Sequence, residues 1–121
     1  MIPAKIRQYL AEDRFMTRCV HDYLNETDEC EGRIEWEHCF TFAGKQVQEK
    51  WSIVPCCTYH HRGNGLIKDY NRYIGLLRGL ELLPEIMKKY PKKNWQQELN
   101  YLENKYGERT QKDKISQVPK M

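Results

Sequence analysis

The sequence predicts an α+β fold in which a small antiparallel hairpin is followed by a helix, with further helices on both sides of this core. In residues 33–42 apolar and polar side chains alternate with the two-residue period of a strand. A second apolar run, residues 51–54, predicts the partner strand, and Pro55 is expected to end it because proline lacks the amide hydrogen that the ladder needs. After Pro55 the apolar spacing becomes helical.

Shorter patterns predict the elements before the hairpin. Residues 3–12 have apolar side chains spaced for one side of a short helix, with a proline in its first turn. Residues 14–20 predict a short strand that carries Cys19, and the polar residues 25–31 predict a loop that carries Cys30. Both cysteines are therefore expected just ahead of the hairpin.

The last part of the chain predicts two more helices. Pro84 suits the first turn of a helix over residues 84–90, and Pro91 is expected to stop it. Asn94 can cap the next helix, and Gly107 can close it. Its apolar stripe is formed by Trp95, Leu99, Leu102 and Tyr106.

Length and composition predict one ordinary domain. The chain has 121 residues, 40% apolar and 31% charged, which is typical of a soluble globular protein. We expect a single domain over residues 1–107, with its core at 19–72 and a helical extension at 73–107. The polar residues 108–121 predict a disordered tail.

The sequence contains no feature that predicts a membrane or secreted protein. No apolar run is long enough to cross a bilayer, and the first residues lack the apolar core of a signal peptide. A cytoplasmic location is therefore expected. Five cysteines, an odd number, fit a closed set of disulfides poorly and favour metal binding or buried free thiols.

The spacing of Cys57 and His60 indicates half of a zinc site. Two intervening residues allow both side chains to bind one ion from a turn that enters a helix. Cys19 and Cys30 are the natural partners because both precede the hairpin, although ten residues separate them. The competing ligands are Cys39 and Cys56, and the alternative is a set of buried thiols beside a core histidine.

A second group of polar residues predicts acid–base chemistry. If the strand bends at its end, the carboxylate of Glu37 can hold a hard divalent cation while the His38 imidazole removes a proton from water. His61 follows His60 directly, so on a helix it is rotated by about 100° and can face a different metal. One alternative is that residues 37 and 38 are an ordinary polar pair on the surface. Another is that His60 and His61 exchange roles, so that His61 binds the zinc ion and His60 faces the other metal.

Together these residues resemble a known family. The acid–histidine pair at 37–38, the hairpin, and Cys57 and His60 followed by His61 occur in the order found in HNH endonucleases. These enzymes have the ββα-metal (His-Me finger) fold and are often carried by phages and prophages. The resemblance covers roughly residues 19–72, and it would place a phage-encoded protein in the cytoplasm of the bacterial host.

The resemblance implies a role for each matching residue. His38 would be the general base, and Glu37 and His61 would hold a catalytic Mg²⁺ or Mn²⁺. Ser52 stands where many members have a catalytic asparagine that fixes the hairpin and orients the base; its hydroxyl would take over part of that role or leave the activity weak. The structural Zn²⁺ would be bound by Cys19, Cys30, Cys57 and His60.

The substrate that the resemblance implies is DNA, whose phosphodiester bonds would be hydrolysed. Basic residues crowd the chain after His61, whereas acids dominate residues 26–37. The lysine pairs 88–89 and 92–93 would extend a basic track near Tyr90. Solubility is the alternative explanation for these charges, including those we expect to contact backbone phosphates: Lys45, Arg62, Lys68 and Arg72.

Three other functions stay open at this point. A nuclease of the same fold that resolves four-way DNA junctions is one, and such enzymes usually act as homodimers. A zinc-stabilised DNA-binding module without cleavage is the second, because Ser52 replaces the usual asparagine. A metalloprotein unrelated to nucleic acid is the third, and it would show no salt-sensitive DNA binding.

Overall fold

The computed structural model describes residues 2–25, 30–42, 44–62 and 67–119, and in these ranges the chain is a mixture of helices and small antiparallel sheets. This confirms the predicted α+β class. No helix in the described ranges combines the length and the apolar character that a bilayer-spanning segment requires. The helices and strands are α1 (Ala4–Glu12), β1 (Ile34–His38), β2 (Thr41–Phe42), β3 (Lys45–Gln46), β4 (Ile53–Cys57), α2 (Thr58–Arg62), α3 (Lys68–Arg78), α4 (Leu83–Lys89) and α5 (Trp95–Tyr106).

The predicted hairpin is formed by β1 and β4, which pair antiparallel, but Pro55 does not end its strand. It lies in the middle of β4, opposite Trp36. The backbone N–H of Cys39 donates to the Ser52 carbonyl, and that of Thr58 donates to the Arg33 carbonyl. Hydrogen-bonded and non-hydrogen-bonded pairs alternate along an antiparallel ladder, so the Trp36–Pro55 pair is a non-hydrogen-bonded one. The missing amide hydrogen of Pro55 therefore points away from β1, so the ladder loses no donor.

The strand predicted over residues 14–20 is instead two 3₁₀ turns, Arg14–Thr17 and Val20–Tyr23. The Asp13 carboxylate accepts a hydrogen bond of 3.0 Å from the backbone N–H of Phe15 and so caps the first turn. When a nearby side chain accepts the hydrogen bond of a backbone N–H, that N–H is not available to a neighbouring strand, and a turn is favoured over a strand. Cys19 begins the second turn and is buried, so the segment still delivers this thiol to the interior.

Aromatic rings fill the space between the hairpin and the C-terminal helices. The Asn94 side chain accepts a hydrogen bond from the Gln97 N–H, which is the predicted cap of α5. Trp95, at the first position of α5, is 1% exposed and packs edge-on against Trp51 and Phe40, with ring centroids 5.7 and 5.1 Å away. This burial anchors α5 to the connection between β1 and β4, and through it steadies the end of β1.

Residues 108–119, which composition predicts to be disordered, pack against the rest of the chain. Thr110 bridges to Leu24, and Val118 is 1% exposed, with its N–H donating to the Arg78 carbonyl at 2.7 Å. Composition describes the whole segment at once. It therefore does not detect a buried valine or the backbone hydrogen bonds that hold the segment in place. The division of the remaining chain into core and extension stays a prediction.

Arg78 is a buried cation at the junction of α3, α1 and the C-terminal segment. Its side chain is fully buried, and its guanidinium contacts the Asp13 carboxylate and donates to the carbonyl and hydroxyl of Ser116, both at 3.1 Å. It also lies over the Phe15 ring, 4.1 Å from the centroid. A buried charge with this many partners becomes costly when its counter-ion is removed.

We expect Asp13→Ala to lower the free energy of unfolding by about 3–5 kcal/mol, because the Arg78 charge stays buried without its carboxylate. The measurement is the midpoint and slope of urea unfolding. Asp113→Ala is the matched control, since Asp113 is exposed and its loss should change stability by about 0.5 kcal/mol or less. Equal midpoints for the two variants would contradict the expectation.

Candidate functional site

Four side chains that the sequence predicts as zinc ligands converge in the structure. Ligand atoms of Cys19, Cys30, Cys57 and His60 all lie within 4.8 Å of one another. They come from the second 3₁₀ turn, the segment ahead of β1, the end of β4 and the short helix α2. Three of the four residues are buried and Cys30 is exposed. We refer to these four residues as the Cys3His cluster, and it could hold a metal ion such as zinc.

Distances within the Cys3His cluster fit a tetrahedral zinc ion. His60 Nδ1 lies 3.0 Å from the sulfur of Cys57, 3.5 Å from that of Cys19 and 3.8 Å from that of Cys30. Zinc–sulfur bonds of about 2.3 Å and zinc–nitrogen bonds of about 2.0 Å at tetrahedral angles separate the sulfur and nitrogen atoms by about 3.5 Å. One ion can therefore reach all four atoms with small side-chain adjustments.

Gly32 allows Cys30 to approach the cluster. Its φ of +83° is in the left-handed region, and a Cβ added there would lie 2.6 Å from the Thr58 Cβ. The close approach is held by backbone hydrogen bonds from Thr58 to Arg33, 2.9 Å, and from Tyr59 to Glu31, 3.1 Å. The segment before β1 is thereby fastened to the first turn of α2, which carries His60.

The two competing cysteines lie outside the cluster. The Cys39 thiol donates to the Asn71 carbonyl at 3.2 Å. The Cys56 thiol is 3.4 Å from a carboxylate oxygen of Glu37, and its hydrogen bonding with Cys19 lowers the pKa of the Cys19 thiol. Because zinc binds the thiolate, a lowered pKa of Cys19 would favour metal binding at this residue.

Glu37 and His38, the predicted acid–histidine pair, line one cleft of about 380 Å³ at the end of β1. Successive strand residues point to opposite faces, and the two side chains share a cleft because β1 ends at His38. The rest of its wall comes from the segment that runs into β2, from α3 and from the start of α5. Basic side chains of this wall are Lys68, Arg72 and Lys93.

The Glu37 carboxylate is held from the α3 side. Asn71 Nδ2 donates to its Oε2 at 2.6 Å, and partial burial raises the pKa of Glu37 above its ordinary value. The hydrogen bonds from Cys56 and Asn71 and the positive charges of His61 and Lys68 act in the opposite direction. Because desolvation outweighs these contacts, a cation bound in the cleft would relieve the buried charge.

Asn71 also connects the cleft to the metal cluster. It is 1% exposed, and its Oδ1 lies 3.1 Å from His21 Nε2. The His21 ring stacks on the His60 ring with centroids 4.2 Å apart and planes inclined by 6°. A continuous set of buried contacts therefore joins the Cys3His cluster to Glu37. Sequence reasoning missed both residues, and the one signal was an asparagine within the apolar pattern of α3.

His61 lies beside a different carboxylate from the one expected. Its Nδ1 is 2.9 Å from Glu35 Oε1, and Arg62 also contacts Glu35, at 2.7 Å. The hydrogen bond from His61 lowers the pKa of Glu35. Glu35 was missed at the sequence level, although the strand period puts it on the same face of β1 as Glu37. The structure thus places His61 near that face but outside the cleft lining.

Ser52 lies behind the cleft and supports the connection between β3 and β4. It is fully buried, and its hydroxyl donates to the Val47 carbonyl at 2.7 Å. Its own carbonyl accepts the N–H of Cys39, the residue after His38. Ser52 therefore holds the end of β1 through the backbone and does not line the cleft.

The predicted phosphate contacts are divided between the cleft and the surface. Lys68 and Arg72 line the cleft, and Arg72 forms an ion pair of 2.9 Å with Glu98. Lys45 is exposed on β3, and Arg62 is engaged by Glu35. Two of the four predicted side chains are therefore placed around the acid–histidine pair.

The fold and the cluster define an α+β protein with a Cys3His cluster that could hold zinc. No protein-family model matches the chain, and no curated protein or solved structure matches it either. The geometry of the cluster and of the cleft therefore decides which function the chain supports.

Proposed function

We propose that the protein is a metal-dependent endonuclease of the HNH type that hydrolyses DNA phosphodiester bonds. The observation that carries the proposal is the shared cleft of Glu37 and His38 with a basic wall. Support also comes from the order of elements, since a hairpin of β1 and β4 runs directly into α2, as in a ββα-metal core. In this proposal the Cys3His cluster holds a structural zinc ion that ties the two strands and α2 together.

His38 is the proposed general base. Its Nε2 is 2.9 Å from Gln48 Oε1, and in this proposal Nε2 donates to the amide oxygen while Nδ1 carries the lone pair. Gln48 would fix the ring while Nδ1 takes a proton from the attacking water. This step needs the neutral form of the imidazole.

Glu37 is the proposed ligand of the catalytic Mg²⁺ or Mn²⁺. A partly buried carboxylate, oriented by Asn71, suits a hard cation. His61 would be the second ligand through Nε2, because its Nδ1 contacts Glu35. Such a cation, when bound, stabilises the negative charge that develops on the phosphate and the leaving oxygen. Glu37 and Asn71 would then set its position relative to His38.

The basic wall is the proposed contact for the DNA backbone. Lys68, Arg72 and Lys93 surround the acid–histidine pair, and Glu98 offsets part of their charge through ion pairs with Arg72 and Lys93. Contacts of lysine and arginine with phosphate give affinity without base specificity, and the affinity decreases as salt increases.

The test is nicking of supercoiled plasmid with and without Mg²⁺ or Mn²⁺. We expect metal-dependent nicking by the unmodified chain and its loss in Glu37→Gln, which keeps the size of the side chain but removes the charge that holds the cation. Glu81→Gln, an exposed glutamate on the turn before α4, is the control and should nick normally. Linear, single-stranded and four-way-junction DNA in the same assay would identify a junction-resolving enzyme. Nicking that is unaffected by Glu37→Gln would contradict the proposal.

A second candidate is a zinc-stabilised DNA-binding module that does not cleave. It is favoured by one observation: His61 and Arg62 both contact Glu35, so the expected second cation ligand does not line the cleft with Glu37. Such a module would bind DNA in a gel-shift assay, and its affinity would decrease as salt increases. It would show no nicking in the presence of either cation.

A further inference from the structure

A second hollow, of about 410 Å³, adjoins the cleft on the side of β2 and the segment after α4. Phe42 and Lys93 line both the cleft and the hollow, so the two are neighbours on the surface. The hollow combines two aromatic rings and a proline with three lysines: Phe42, Lys89, Tyr90, Pro91, Lys92 and Lys93.

The two rings of the hollow are held in position by the core. The Tyr90 hydroxyl donates to Glu49 at 2.7 Å, and the indole N–H of Trp95 donates to the Tyr90 carbonyl at 2.9 Å. Phe42 packs against Tyr90 with ring centroids 5.9 Å apart, and edge-on against Trp95 at 5.7 Å. A ligand that stacks on these half-buried rings would lose little entropy in ordering them.

The charge of the hollow favours an anion. Lys89 and Lys93 reach Glu49 and Glu98 at 3.3 and 3.7 Å, and these carboxylates do not line the hollow. Lys92 is exposed at its rim. Within the described residues that line the hollow there are three ammonium groups and no carboxylate. Glu49 and Glu98 offset part of the charge of Lys89 and Lys93, and the remaining positive charge, which includes that of Lys92, is complementary to phosphate.

We propose that the hollow binds an unpaired stretch of single-stranded DNA that continues from the phosphate held in the cleft. Flat rings beside lysines match the two parts of a nucleotide, since bases stack on aromatic faces and phosphates pair with cations. In duplex DNA both faces of a base are covered by its neighbours, so stacking on Phe42 and Tyr90 requires an unpaired base. That the bound strand continues from the phosphate to be cleaved rests on the proposed nuclease function. Binding of the single strand in the hollow does not depend on that function.

Strand binding can be measured without cleavage. A fluorescein-labelled oligothymidylate and a duplex of equal length are titrated with the His38→Ala variant in buffer without Mg²⁺ or Mn²⁺, so that the DNA stays intact. We expect the single strand to bind more tightly than the duplex. Tyr90→Leu and Phe42→Leu keep apolar volume but remove the ring, and each should weaken single-strand binding by about 5- to 150-fold while changing duplex binding little.

Tyr101→Leu is the matched control, because Tyr101 is an exposed ring on α5 outside the hollow and its loss should leave binding unchanged. Lys92→Gln should reduce the salt dependence of single-strand binding, and Lys92→Arg should restore it. Equal affinity for duplex and single strand, or ring variants that bind as the parent does, would overturn the proposal. So would competition by polyglutamate as effective as competition by oligothymidylate. Absence of plasmid nicking together with ring-dependent strand binding would overturn the nuclease function and leave this inference standing.

Discussion

Cys57→Ser is expected to unfold the chain under conditions in which the parent protein is folded. Cys57 ends β4 and shares the proposed zinc with residues from three other segments, so losing it disconnects the hairpin, the segment ahead of β1, α2 and the second 3₁₀ turn. Structural zinc contributes about 10–16 kcal/mol in small metal-dependent domains, whereas a whole domain is stable by only about 5–15 kcal/mol. The loss is therefore comparable with the entire stability.

The measurements are zinc content of the purified protein and thermal unfolding followed by circular dichroism. Cys39→Ser is the control, because Cys39 lies outside the cluster and a serine hydroxyl can also donate to the Asn71 carbonyl. We expect stoichiometric zinc and cooperative unfolding for the parent and the control, and neither for Cys57→Ser. A Cys57→Ser protein that melts within a few degrees of the parent would show that the cluster does not hold the fold together.

His38→Ala is expected to reduce plasmid nicking by about 10²- to 10⁴-fold, the usual contribution of a general base. Zinc content and thermal stability should stay unchanged, since His38 is only partly buried and its contact is with Gln48. Imidazole added to the buffer should restore part of the activity of His38→Ala, because the deleted side chain leaves room for it in the cleft.

Gln46→Ala is the matched control for this experiment. Gln46 is an exposed residue on β3, two positions before the Gln48 that orients the His38 ring, and its loss should leave nicking unchanged. A His38→Ala protein that nicks at the parent rate would remove the proposed base. That result would leave zinc binding and DNA binding as the functions proposed for the chain.

Local patterns were sufficient for the hairpin, for the helical segments and for Cys57 and His60, whereas Cys19 and Cys30 were chosen because they precede the hairpin. The strand period placed Glu37 and His38 at the end of β1, and the spacing of Cys57 and His60 indicated that both face one ion from the turn into α2. These features depend on neighbours a few residues apart, which is the range that periodicity describes.

Contacts between distant residues could not be predicted in the same way. Asn71 is 34 positions from Glu37, and His21 is 50 positions from Asn71, so no periodic pattern relates them. Pro55 was misinterpreted because its effect on a ladder depends on which pairs are hydrogen-bonded, and this register is set by the partner strand. The order of residues 108–119 likewise depends on where Val118 and Arg78 meet.

A chain of contacts from His60 through His21 and Asn71 to Glu37 joins the cluster to the cleft, and such a chain can carry energetic coupling between them. An ion that orders one end would lower the cost of ordering the other, and thermodynamic reciprocity requires the same coupling factor in both directions. In the proposed nuclease, the affinity of Glu37 for a divalent cation would then vary with the occupancy of the Cys3His cluster.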